Sequence, residues 1–229
     1  MKSSLLGVAE TGTDTSFMIN YFVSSFIKRD VPVILISFSQ SFSHFNGIGN
    51  KLGISLTKSR DAKSFLFVEG LKKLSEITSL HTLNRDTQWK HCVSKEGNVD
   101  LVALFKNLKA QFDDFQVATE NSAIIIFDNI SVLSDIGSSP KEIVSLLQLL
   151  KTYAANVTQR PIIVGFQTEY DSNYEETSTL VNYINHASSL NIEIKGLKTG
   201  SSKDIHGQVI LITTSKCVKC NLKSLISKV

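Results

Sequence analysis

The chain has 229 residues, 42% of them apolar and 20% charged, with three prolines and a formal net charge of +3. That length suits one substantial core, the small positive balance excludes a domain built mainly on nucleic-acid electrostatics, and three cysteines exclude a disulfide framework. With no window near about eighteen uninterrupted apolar residues, and no basic flank leading into an apolar run at the N-terminus, the sequence reads as a soluble protein of the cytoplasm or nucleus.

Apolar runs of strand length alternate with segments of helical period, the pattern of a mostly parallel sheet covered by helices. "SSLLGVA" is the first strand. "SFMINYFVSSFIK" follows as a helix, with Met18, Tyr21, Phe22 and Phe26 expected on its buried face. "VPVILISF" is a second strand, and "SFSHFNGIGNKLG" a second helix with Phe42, Phe45, Ile48 and Leu52 at helical spacing, closed by Gly53. "SFLFV" is a third strand. Residues 78–98 show no periodicity and hold the single tryptophan; a stretch of that length without its own elements is commonly functional. "VDLVALFKNLKAQF" restores the helical pattern through Leu101, Leu104, Phe105, Leu108 and Phe112. "SAIIIFDNI" is the most hydrophobic strand, predicted to be central and buried on both faces. Pro140 then opens a helix whose stripe is Ile143, Leu146, Leu147, Leu150 and Tyr153. "RPIIVGFQ" is a fifth strand and "TSTLVNYINHASSL" a further helix. "NIEIKGL" and "HGQVILIT" read as a C-terminal β-hairpin around the basic turn "KTGSSKDI", with a third strand near "KCNLKSLI".

One motif on this frame carries chemistry. Gly7 and Gly12 in "GVAETGTDTS" have the spacing of a phosphate-binding loop between a strand and a helix. Such a loop needs a Lys for the outer phosphates and a Ser or Thr hydroxyl for magnesium. Those positions hold Thr13 and Asp14. Two unit charges about 5 Å apart interact by roughly 3 kcal/mol at an effective dielectric near 20, so each change weakens nucleotide binding about a hundredfold. Asp14 fits better as a helix N-cap or first-turn carboxylate. Asp128, closing the central strand, stands where a magnesium-organising Asp would, and equally where a turn residue would. No general base is evident, since His44 reads as a solvated or capping residue. No catalytic residue is assigned.

"CVKC", Cys217 to Cys220, has zinc-knuckle spacing but no second pair, so no metal site is assigned. His206 in "DIHGQV" reads as a turn residue. Arg85, Trp89, Lys90, His91 and Lys95 in the aperiodic stretch, joined by Lys198 and Lys203 of the hairpin turn, are the candidate RNA-facing groups. Against a general phosphate-binding face stands the acidic segment Glu169 to Glu176, with four acids and no base.

The segments "QSFSHFNGIGNKLGISLTKSR", "FLFVEGLK" and "GLKTGSSKDIHGQV" resemble the family of the sixth subunit of the Elongator complex, in the right order across roughly residues 3–213. The resemblance implies a RecA-like fold of the P-loop NTPase class with degenerate nucleotide motifs, spanning residues 1–213 and followed by a basic tail, 214–229, that offers a further edge strand. It implies a non-catalytic subunit without a cofactor of its own, ATP being admitted only at composite subunit interfaces. The implied partners are the fourth and fifth Elongator subunits, in a hetero-hexameric ring, the remaining Elongator subunits, and tRNA whose wobble uridine is modified. A divergent ATPase regulating tRNA release and a stand-alone RNA-binding module are the other readings.

Overall fold

The computed structural model describes residues 5–11, 16–78, 89–94, 97–119, 121–168, 175–196, 205–213 and 217–223. The strands are β1 (Leu5–Thr11), β2 (Val33–Ser37), β3 (Phe65–Glu69), β4 (Ile124–Phe127), β5 (Ile162–Gln167), β6 (Ser188–Gly196), β7 (Ile205–Thr213) and β8 (Cys217–Lys223). The helices are α1 (Ser16–Ile27), α2 (Phe42–Lys51), α3 (Leu56–Asp61), α4 (Gly70–Thr78), α5 (Leu101–Thr119), α6 (Val132–Asp135), α7 (Pro140–Tyr153) and α8 (Glu175–Ala187).

The strands form one eight-stranded sheet in the order β3-β2-β4-β5-β1-β6-β7-β8. Pairing is parallel from β3 to β6. It turns antiparallel for β6–β7 and β7–β8. The central parallel strands are apolar on both faces because both are covered. Val33, Leu35, Ile124, Ile126 and Ile163 pack under Ile19 and Val23 of α1, Phe45 of α2 and Leu56 of α3. Their alternates Ile34, Ile36, Ile125, Phe127, Ile162 and Val164 pack under α5, α7 and α8. Each fully buried Ile or Leu contributes roughly 2 kcal/mol, so these two layers are the main source of stability.

Caps fix the helix starts. The Ser41 hydroxyl accepts from the His44 amide at 3.4 Å, and Ser55 does the same for Lys58 at 3.4 Å. Asp100 Oδ1 accepts from the amides of Val102 and Ala103 at 2.9 and 3.0 Å, opening α5. Ser139 and Glu142 form a reciprocal capping box ahead of Pro140. The Ser139 hydroxyl and amide hold the Glu142 carboxyl below its ordinary pKa. The predicted stripe of α7 is buried at all of its positions.

On α1 three of the four residues read as one face, Met18, Phe22 and Phe26, pack half-buried against the core layer, whereas Tyr21 does not. The buried residues are Ile19, Asn20, Val23 and Ser24, and Tyr21 is 59% exposed. The buried Asn20 is satisfied within the helix, its side-chain amide donating to the Ser16 carbonyl at 2.8 Å. The aromatic residues are displaced to the flanks and outside. α2 differs in the same way: Phe45 and Gly49 are buried, whereas Phe42, Ile48 and Leu52 are half-buried.

Gly165 of β5 lies under the chain leaving β4, and a Cβ there would stand 1.9 Å from the Asp128 carbonyl oxygen. The Ile130 amide donates to the Gly165 carbonyl at 2.8 Å across this contact. Gly165→Ala is expected to destabilise the fold by about 3 kcal/mol, because backbone rather than a flexible side chain must give way. Urea unfolding monitored by circular dichroism measures this.

Candidate functional site

In an open parallel sheet the ligand crevice lies beyond the carboxyl ends of the strands, where the chain exits β1, β2, β4 and β5. At the β4 exit, Asp128 is 6% exposed. Its Oδ1 accepts from the Phe38 amide at 2.8 Å and the Asn129 amide at 2.6 Å. Its Oδ2 accepts from the Ser39 hydroxyl at 2.7 Å, the Ser39 amide at 3.1 Å and the Ser37 hydroxyl. The Ser37 hydroxyl is itself tied into the loop, 2.6 Å from the Gln40 carbonyl and accepting from the Gln40 amide at 3.0 Å. Both carboxylate oxygens thus organise the turn between β2 and α2. Asn129 continues the pattern, its Oδ1 accepting from the Ser131 amide at 3.0 Å, and the Ser131 hydroxyl accepts from the Gln167 amide at 3.0 Å at the end of β5.

At the β1 exit the strand runs further than its composition suggested. β1 is paired through Glu10 with β5 and through Thr11 with β6. Gly7 is therefore inside a two-sided ladder, four residues before the strand ends. What requires glycine there is packing: a Cβ on Gly7 would stand 2.2 Å from Asn191 Oδ1 and 3.0 Å from Ile184 of α8. Gly12, Thr13 and Asp14 lie outside the described residues.

The candidate RNA-facing groups divide in the same way. Arg85, Lys95, Lys198 and Lys203 lie outside the described residues. Lys90 and His91 belong to a short 3-10 turn, Lys90–Cys92, and His91 is exposed. Trp89 is a correction: it is 2% exposed and packs in the core beside Cys92 and α5, so it is not the exposed stacking ring expected of an RNA-facing group. The aperiodic stretch gave no hint of this, because a lone tryptophan has no periodicity to read. Cys217 and Cys220 fall within β8, opposite Ile212 and Val209 of β7, where zinc-knuckle spacing needs a turn. Burial pushes the Cys92 thiol up to about 11, with the Asp100 charge adding to it.

The strand order, the acidic residue closing β4 and the glycine-bearing first strand two positions away define a RecA-like α/β domain. Within that class, the family model described as Elongation complex protein 6 matches residues 1–226. The chain belongs to this family. It is 27% identical over 213 residues to Elongator complex protein 6 of Mus musculus, covering 92% of this chain and 79% of that one. Against the Homo sapiens protein of the same name the identity is 26% over 207 residues, covering 90% and 77%. For the Danio rerio protein it is 26% over 205 residues, covering 88% and 76%.

Asp128→Asn keeps the shape but turns an amide NH2 toward hydrogen-bond donors, and is expected to cost about 2 kcal/mol in urea unfolding. A carboxylate held for chemistry would give the opposite sign, since functional groups are commonly replaced with a gain in stability. For Cys92, in a chain carrying Cys217→Ser and Cys220→Ser, thiol reagents at pH 8 should react only after unfolding. The reactive species is the thiolate, which a raised pKa suppresses in the native state.

Proposed function

We propose that this chain is a non-catalytic, RecA-like subunit of the Elongator complex. It assembles with the fourth and fifth subunits into a hetero-hexameric ring that binds tRNA and supports modification of the wobble uridine, in the cytoplasm and the nucleus. The observation that carries this reading is the family match over residues 1–226, on a fold whose strand-ending Asp128 is engaged by the chain's own turn.

A phosphate cradle uses the backbone N–H groups of a loop; the turn between β1 and α1 lies outside the described residues, and its sequence places Thr13 and Asp14 where the cation and the hydroxyl would stand. A magnesium-organising carboxylate needs free lone pairs, and those of Asp128 accept from Phe38, Asn129, Ser37 and Ser39. Asp128 so engaged does not fit the role of a magnesium-organising carboxylate, and no hydrolytic step is derived. In this reading ATP is admitted only at composite subunit interfaces.

A ring subunit also needs surfaces that a monomer would not keep apolar. Helix α1 supplies one, with Phe17 37% and Tyr21 59% exposed beside half-buried Phe22 and Phe26. Among the described residues no helix is long and apolar enough to cross a membrane.

Two measurements test the proposal. Co-expressed with the fourth and fifth subunits, the chain should elute with them as one species in equal amounts, and Tyr21→Glu should reduce its recovery several-fold without moving its own unfolding midpoint. A chain that remains alone in that experiment overturns the assignment. The isolated chain should show no ATP turnover above background; turnover abolished by Asp128→Ala in a chain that still folds would make it an ATPase instead.

A further inference from the structure

One edge of the sheet is built to receive another strand. The amide of Val33 donates to the Ser64 carbonyl at 3.0 Å, which fixes the register of β2 on β3. In a parallel ladder the backbone groups of successive residues face alternate sides. Ser64, Leu66 and Val68 therefore face β2, while the N–H and C=O groups of Phe65, Phe67 and Glu69 point outward. Among the described residues nothing pairs with them, and β3 ends the sheet.

Directly along this edge runs a cavity of about 280 Å³. One wall is Phe42 and Arg60, from the helices that cover one face of the sheet; the other is Trp89 and Gln111, from the layer on the opposite face. Phe67 and Val68 of β3 lie between the walls. The slot is thus lined from both layers beside the open strand, where a neighbouring strand would lie. Its aromatic lining is ordered: Phe42 and Phe67 meet edge to face at 5.5 Å, and the exposed Arg60 guanidinium lies 4.6 Å over the Phe42 ring.

Charge selects the occupant. The charged residues lining the slot are Arg60 and Lys73 against a single acid, Glu69. Glu69 already accepts from the Phe42 amide at 3.2 Å and pairs with Lys72 at 3.4 Å. We infer that the β3 edge is a docking site for an extended segment of a partner polypeptide, acidic residues alternating with aromatic or branched ones, which adds a strand to the sheet. An open strand edge alternates N–H donors with C=O acceptors, which complements a peptide backbone; carbonyl oxygens would repel the phosphates of an RNA. The site is independent of the nucleotide crevice and of the tRNA reading.

The test uses the full chain and a blocked peptide of about ten residues alternating Glu with Phe and Val, with a lysine-for-glutamate version and a single-stranded oligouridine as the other probes. Binding is read by fluorescence polarisation, and amide hydrogen exchange is followed residue by residue. The glutamate peptide should bind, and the amides of Phe67 and Glu69 should gain protection while those of Leu66 and Val68, already paired with β2, change little. Arg60→Glu, at an exposed position, should weaken binding roughly tenfold with no change in the urea midpoint. Absence of binding, binding without protection at Phe67 and Glu69, equal binding of the lysine peptide, or displacement of the peptide by oligouridine would each overturn the inference.

Discussion

The contact between the exits of β2 and β4 holds the upper end of this sheet together. Asp128 accepts from the amides and hydroxyls of the turn after β2, while the backbone beside it crosses Gly165 too closely for any side chain. Three neighbouring strands are therefore locked at the end where related folds keep their chemistry. A buried carboxylate is costly unless its oxygens are satisfied, and here the satisfying groups are the loop that would otherwise need its own turn chemistry. The same geometry leaves little for a metal ion to coordinate.

The glycine motif at the first strand illustrates how one spacing can serve two physical needs. A working phosphate loop uses glycine for backbone freedom. In this chain Gly7 has regular strand pairing on both sides, and it is small because Asn191 and Ile184 press against its Cα. Either cause yields the same letter. The difference appears only in where the strand ends, and that is set by β6, a partner roughly 180 residues away in the chain that no local pattern reveals.

This explains which parts of the architecture could be read in advance. The alternation of strands and helices, the central position of "IIIFDN", the buried stripe of α7 and the antiparallel change at β6–β7 all follow from local periodicity, and all are present. On α1 apolar residues stand on more than one face and the buried face includes the polar Asn20 and Ser24, so periodicity does not single out the residues that are fully buried. Helix α4 and the burial of Trp89 escaped notice for a related reason, since a short helix beside an aperiodic stretch gives no sustained period. Asp128 was legible as a strand-ending acid. Its partners, Ser37 and Ser39, were visible only as polar residues after an apolar run, and pairing them with Asp128 required the sheet order.

The two ends of the sheet are finished differently, and this asymmetry bears on how such a domain operates in an assembly. Beyond β6 the chain folds back through β7 and β8, extending the sheet with strands of its own. Beyond β3 it leaves outward-facing backbone groups beside an aromatic slot with a basic rim. Natural sheets usually blunt such an edge with charge, bulges or a covering element. Here Arg60 and Lys73 beside the slot discourage pairing with another copy of the same edge and suit the acidic segment proposed above. Whatever the crevice does, β1 and α1 are needed to complete one core layer, in which Val8, Ile19 and Val23 are buried together. Retaining the fold is thus a packing requirement, and the parts left free to diversify are its edges and outer helix faces.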